Sequence, residues 1–170
     1  MSRRGLLLTI TEPPLAMEEE FNAWYDTEHL PERLSIRGFR SARRWVADCK
    51  PGEGKYLATY ELDSLAVLSS REYLAFFEKQ SPWSQRCLGK AVVFKRWACE
   101  QTEPGNADPR ADATAMVPVF GAKPPSLPSM LQVRSFAASA GEPRQVAICE
   151  LADAGVVLPA TFRLYRAYVA

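Results

Sequence analysis

The chain of 170 residues is 47% hydrophobic and carries 21 basic against 20 acidic side chains, a formal charge of +1. That is enough apolar material for a sizeable core and argues against disorder. A charge this balanced sets up no field of one sign, so neither nucleic acid nor an anionic membrane surface is an expected partner.

The chain opens with "MSRRGLLLTITEPP". Its apolar run is short, holds β-branched residues and lacks a small-residue cleavage site, so it reads as a first strand and not as a signal peptide. No run approaches the roughly 20 apolar residues that cross a bilayer. Cys49, Cys87, Cys99 and Cys149 form neither a CxxC pair nor a zinc-ligand spacing. They read as small buried hydrophobes in a protein of the reducing cytoplasm.

"GLLLTI" (5–10) suits a strand buried on both faces. From Leu15 to Leu34 the period changes, because Met17, Phe21, Trp24 and Glu28 form one helical stripe, and Glu18, Glu19 and Glu20 favour the helix start. Pro31 should kink that helix or stop it near Leu30. "FRSARRWVADC" (39–49) and "KYLATYELD" (55–63) flank the turn "KPGEG" and form a hairpin. A second helical pattern, broken at Ser81-Pro82, spans Ser64 to Cys87, and "KAVVFKRWACE" (90–100) supplies another strand. The order β-α-β-β-α-β is the split βαβ arrangement of the ferredoxin-like fold. The expected class is therefore α+β, with a ferredoxin-like α/β-barrel domain over residues 1–100.

Residues 101–129 read as a proline-rich linker with a short strand, and residues 130–170 as a β-rich extension. That extension holds "MLQVRSFAA" (130–138), "RQVAICELAD" (144–153) and "FRLYRAYV" (162–169). "YLATYELD" matches "QVAICELAD" at Ala and Glu-Leu, "VVFKRW" matches "ATFRLY", and "GLLLTITEPP" pairs with "SMLQVRSFAA". These echoes suit either a degenerate repeat that kept its sheet and lost both helices, or the ordinary recurrence of strand residues.

The only histidine, His29, lies in "WYDTEHLPERL" (24–34). Imidazole titrates near neutrality, and Tyr25 sits one turn earlier, so phenol and imidazole share a helical face. The bland alternative is a helix-end role for His29. No metal is expected, because His29, Asp26 and Glu28 alternate around a helix and cannot converge on one ion. A single axial histidine leaves haem as a further reading. Arg43 and Arg44 point to opposite faces of one strand; one could neutralise an enolate while the other pairs with an acid such as Glu61. Trp24, Tyr25, Tyr56, Tyr60, Trp83 and Trp97 could line a pocket or a plain core. Motifs for nucleotide binding, serine hydrolysis and zinc proteolysis are missing.

Taken in order, "WYDTEHLPERL", Gly38-Phe39, "ARRW" (42–45) and "YLATYELDS" (56–64) resemble the EthD-like branch of the dimeric α/β-barrel superfamily. They are most similar to a bacterial group carrying a W-Y-x-x-E-H-x-P-E-R motif. The resemblance covers roughly residues 5–100. It implies two ferredoxin-like sheets paired across a homodimer, with a cavity between each sheet and its helices. It also implies cofactor-free oxygenation, cyclisation or isomerisation as activities, with haem enzymes among longer relatives. His29 and Pro31 take the place of the family's cavity-facing H-x-P histidine. The C-terminal seventy residues depart from the family form, and would either complete the barrel in cis or embrace a partner.

The reading that follows is a small-molecule enzyme acting on an aromatic or polyketide-like carbonyl compound without a cofactor. Its expected catalytic residues are His29 and Tyr25; Trp24, Arg43, Arg44, Tyr60 and Trp97 are its expected substrate contacts. The rivals are a non-catalytic ligand-binding or assembly protein and a haem-binding protein.

Overall fold

A computed structural model describes residues 2–170. Strand β1 (Gly5–Glu12) is buried along its whole length. Leu6, Leu8 and Ile10 enter one core and Leu7 enters another, which explains a run apolar on both faces. The next segment is helical from Glu18 to Ser35 as α1 (Glu18–Trp24), a widened π turn (Tyr25–His29) and α2 (Leu30–Ser35). Of the two outcomes expected at Pro31, the helix does not stop near Leu30 but runs on through an irregular turn. The Leu30 N–H reaches the Tyr25 carbonyl, five residues back, and this wider turn absorbs the missing donor of proline.

Strands β2 (Phe39–Val46) and β3 (Tyr56–Leu62) form the expected hairpin. Helices α3 (Arg71–Glu78) and α4 (Pro82–Gly89) follow, capped by the Ser70 and Ser81 hydroxyls, with Pro82 in the first turn of α4 where its missing N–H costs nothing. Strand β4 is Val93–Glu103. The remaining strands are β5 (Ala115–Phe120), β6 (Met130–Ala140), β7 (Gln145–Leu151) and β8 (Tyr165–Ala167). β5 is almost wholly buried and lies within the span read as a linker.

All eight strands close into one antiparallel barrel, in the order β1-β3-β2-β8-β5-β7-β6-β4. The second half repeats the order of the first when β5, β6, β7 and β8 take the places of β1, β2, β3 and β4. The residues agree: Glu61 lies opposite Leu6 and Ser41, and Glu150 lies opposite Met116 and Gln132. One sequence match is thereby corrected. The counterpart of β1 is β5, and "MLQVRSFAA" occupies the place of β2, because strand order and not apolar content defines equivalence. The barrel closes within one chain, so no second copy is needed to complete it.

Three cores result. The lumen holds Leu6, Leu8, Trp45, Leu57, Trp97, Met116, Phe136 and Ile148. The first-half sheet presents its outer face to the helices through Leu7, Ala58, Tyr60 and Leu62, against Phe21, Trp24 and Tyr25. The outer face of the second half, with Val117, Ala147 and Cys149, is covered by Leu127, Val156, Leu158 and Phe162 from non-helical connections.

Across the lumen, Arg134 on β6 donates to both Glu61 oxygens at 2.9 and 3.0 Å, and Glu150 stands 3.4 Å away. All three are buried. Glu61 is therefore the partner of Arg134 and not of Arg43 or Arg44, because lumen-facing positions of distant strands meet inside a closed barrel. Buried carboxylates stripped of their counter-ion are costly. Arg134→Met should lower unfolding free energy by about 3–5 kcal/mol, and adding Glu61→Leu with Glu150→Leu should restore much of it. Urea denaturation of both variants checks this.

Candidate functional site

The π turn sets the direction of His29. A fifth residue in the turn brings positions five apart onto one face, so the imidazole packs 4.6 Å from the Trp24 ring and 4.9 Å from the Tyr25 ring. It is only 8% exposed. Among the described residues it has neither a hydrogen-bond partner nor an acidic neighbour in ion-pair range, and it lines a cavity between the sheet and the helices. Burial, and secondarily the positive charges of Arg33 and Arg44, push its pKa down to about 3. The imidazole is neutral at physiological pH, with its ring nitrogens uncommitted to the fold.

Tyr25 and Tyr60 meet above it, their hydroxyls 2.6 Å apart. Burial raises both phenols, Tyr60 well above its usual value, so neither ionises near neutral pH. One phenol donates to the other, and when Tyr60 is the acceptor its own proton is available to a ligand oxygen, whereas Tyr25 also has the Thr9 hydroxyl beside it. Thr9 adds a buried hydroxyl to the same wall, close to the Tyr25 hydroxyl. Arg44 holds the far side of Tyr25. Its guanidinium lies 4.3 Å from that ring and 4.0 Å from the Tyr168 ring, while donating to Asp26 at 2.7 Å and Asn22 at 2.6 Å.

Two residues absent from the sequence expectation complete the cavity. Arg33 lies four residues beyond His29 on α2 and is 6% exposed. It rests beside the Tyr73, Phe76 and Phe77 rings at 5.4–5.6 Å, without an ion pair among the described residues. Arg96 on β4 donates to the Tyr73 hydroxyl at 3.2 Å. The signal for Arg33 was its helical spacing from His29, obscured by the expected kink or stop at Pro31. Phe77 and Phe94, both about half exposed, stand at the cavity mouth.

The structure thus brings together His29, Tyr25, Tyr60 and Trp24. Trp24 does not line the cavity; it packs behind His29, fully buried, its indole N–H donating to Ser84, which in turn donates to Glu28 at 2.9 Å. Arg44 is on this side of the sheet but occupied. Arg43 and Trp97 are elsewhere. Arg43 faces the lumen end, donating to the Arg110 and Ala113 carbonyls over the Trp45 ring, and Trp97 stacks on Phe120 inside the barrel.

The cavity volume is about 60 Å³. A larger open hollow of about 620 Å³ lies at one barrel end, but its polar groups are engaged: Glu12 accepts from the Gly52 and Gly54 N–H groups, and Lys55 pairs with Glu18. The smaller cavity, with its uncommitted imidazole and hydroxyls, is the better-equipped site. It does not fit haem. A porphyrin needs an open slot beside its axial ligand, whereas His29 is wedged between the Trp24 and Tyr25 rings.

No family model matches the chain. Core atranone cluster (CAC) protein 1 of Stachybotrys chlorohalonatus is 33% identical over 81 residues, which is 46% of this chain and 34% of that protein. The chain therefore matches only about a third of this curated relative's length. Among solved structures, an anthrone oxidase-like protein superposes over 99% of this chain and 92% of its own, with a TM-score of 0.66 at 8% identity. A protein assigned as a chlorite dismutase superposes over 99% and 96%, with a TM-score of 0.56 at 9% identity. These two likenesses establish that the α+β barrel architecture is shared.

Proposed function

We propose that the chain is a one-chain form of the dimeric α/β-barrel, with an EthD-like, ferredoxin-like unit over residues 1–100 and a helix-free second repeat after it. Its cavity acts on an aromatic or polyketide-like carbonyl compound. The observation that carries this reading is a neutral, buried His29 with no protein hydrogen-bond partner, facing a cavity roofed by the Tyr25–Tyr60 hydroxyl pair. Its ring nitrogens make no hydrogen bond to the fold among the described residues, and its side chain lines the cavity, where a ligand can reach it. The fold shared with an anthrone oxidase-like protein supports the aromatic carbonyl class, and the partial likeness to an atranone cluster protein supports a role on a small molecule.

Cyclisation, isomerisation and cofactor-free oxygenation share a first step, removal of a proton from a carbon or oxygen conjugated to a carbonyl. His29 receives that proton, and the free hydroxyl of the Tyr25–Tyr60 pair donates to the developing oxyanion. Trp24 and Arg44 position the two rings from behind. An imidazole with so low a pKa is a weak base in the empty site. An oxyanion formed beside it opposes the fields of Arg33 and Arg44 and raises its proton affinity within the complex. A 60 Å³ cavity is smaller than ordinary ligand pockets, so a multi-ring substrate requires the Phe77–Phe94 mouth to widen.

Deuterium exchange at the activated methylene of anthrone and of 2-indanone, followed by NMR in D₂O, tests the shared step. Wild type should accelerate exchange in at least one of the two. His29→Asn should lower that acceleration by about 10²-fold or more, and Tyr25→Phe by about tenfold. Unchanged exchange in His29→Asn would remove the assignment.

The burial of His29 also makes a stability prediction. Its folded pKa of about 3 lies below the unfolded value of 6.5, so the unfolded chain binds a proton that the folded chain refuses. The stabilisation is complete above pH 6.5 and is lost as pH falls toward 3, at up to about 1.4 kcal/mol per pH unit. Urea titrations across that window should show His29→Asn with a shallower loss than wild type and little stability difference at neutral pH.

A further inference from the structure

We infer that the His29 cavity is an anion receptor in which Arg33, assisted by Arg96, selects ligands carrying a carboxylate or a comparably acidic oxygen. The inference rests on the reading that this cavity is the working site, and it narrows the substrate class from a carbonyl compound to an anionic one.

Among the described residues, two arginines line the cavity, and no aspartate or glutamate does. Arg33 Nη1 is fully buried without a hydrogen-bond partner. Every other buried arginine among the described residues has an acidic partner: Arg44 pairs with Asp26, and Arg134 with Glu61 and Glu150. The adjacent acid, Glu32, is outside the cavity lining and makes no ion pair with Arg33 among the described residues. A guanidinium does not shed its proton, so Arg33 cannot escape burial by neutralising. The three aromatic rings around it give it cation–π contact but leave its N–H groups unspent.

An unpaired buried charge is unfavourable in the empty fold, and a bound anion removes that penalty while gaining charge-assisted hydrogen bonds. A carboxylate also fits the planar fork of a guanidinium. The aromatic walls and the half-exposed Phe77 and Phe94 at the mouth suit the apolar body of such a ligand. Its acidic oxygen enters toward Arg33 and its ring rests at the mouth. The neutral imidazole and the Tyr25–Tyr60 pair then face the remainder of the ligand.

Benzoate and its neutral isostere benzamide are the probes, with binding to the intact chain read at neutral pH from the single histidine's NMR signals. Benzoate should bind about tenfold or more tightly than benzamide. Arg33→Met should erase that preference, weakening benzoate far more than benzamide, and Arg33→Lys, which keeps the charge without the fork, should retain part of it. Equal binding of the two probes by wild type, binding of neither, or a preference surviving in Arg33→Met overturns the inference. His29→Asn separates the two readings. If it retains deuterium exchange while the benzoate preference of the chain with His29 intact depends on Arg33, the catalytic assignment fails and the receptor stands. If it loses exchange while wild type ignores the carboxylate, the receptor fails and the catalytic assignment stands.

Discussion

Closure of the sheet on itself is the constraint from which the rest of the molecule follows. A four-stranded sheet of β4-β1-β3-β2 alone would leave β4 and β2 as open edges, with unpaired N–H and C=O groups ready to join another chain. Here β6 pairs along β4, and the short β8 pairs with β2 at Trp45 and Val46, with the Tyr168 N–H reaching the Arg44 carbonyl just beyond it. Each edge is paired over part of its length by the same chain. The Arg134–Glu61 pair then ties opposite walls across the lumen, fixing the register of one half against the other. An ion pair in that position contributes specificity more than stability, since its desolvation cost offsets much of its attraction.

What could be read from the sequence was local. Alternation in β2 placed Arg43 and Arg44 on opposite faces, helical spacing brought Tyr25 and His29 together, and Ser81-Pro82 marked a real break between helices. The partner of Glu61 was not legible, because Arg134 lies 73 positions away and meets it only when the barrel closes. The pairing of β1 with the wrong strand of the second half has a related cause. Apolar runs look alike in isolation, whereas strand order is a property of the whole sheet.

The loss of Arg33 from the sequence reading shows how one local rule can hide a site. Proline does remove a donor, and ending the helix at Leu30 is the ordinary consequence. The π turn over Tyr25–His29 is the other solution, since it shifts one hydrogen bond and lets the axis run on to Ser35. That extra residue in the turn sets the imidazole between Trp24 and Tyr25, and the continued helix keeps Arg33 on the cavity face. The feature that looked like a terminator is therefore part of what assembles the cavity.

The two halves share a sheet plan but not a site, and the reason lies in what covers each outer face. Tyr60 on β3 faces Leu7 on β1, and the equivalent pair in the second half is Cys149 facing Val117. Where Tyr60 meets Tyr25 beneath a helix, Cys149 meets Leu127, Val156 and Leu158 from connections without helical structure. Those loops fill their face with aliphatic side chains, and burial pushes the Cys149 thiol up to about 11, leaving it protonated. A helix is the element that can present an imidazole, a phenol and a guanidinium on one stripe above a sheet. Only the first half retains one, and so the barrel as a whole carries a single such cavity per chain among the described residues.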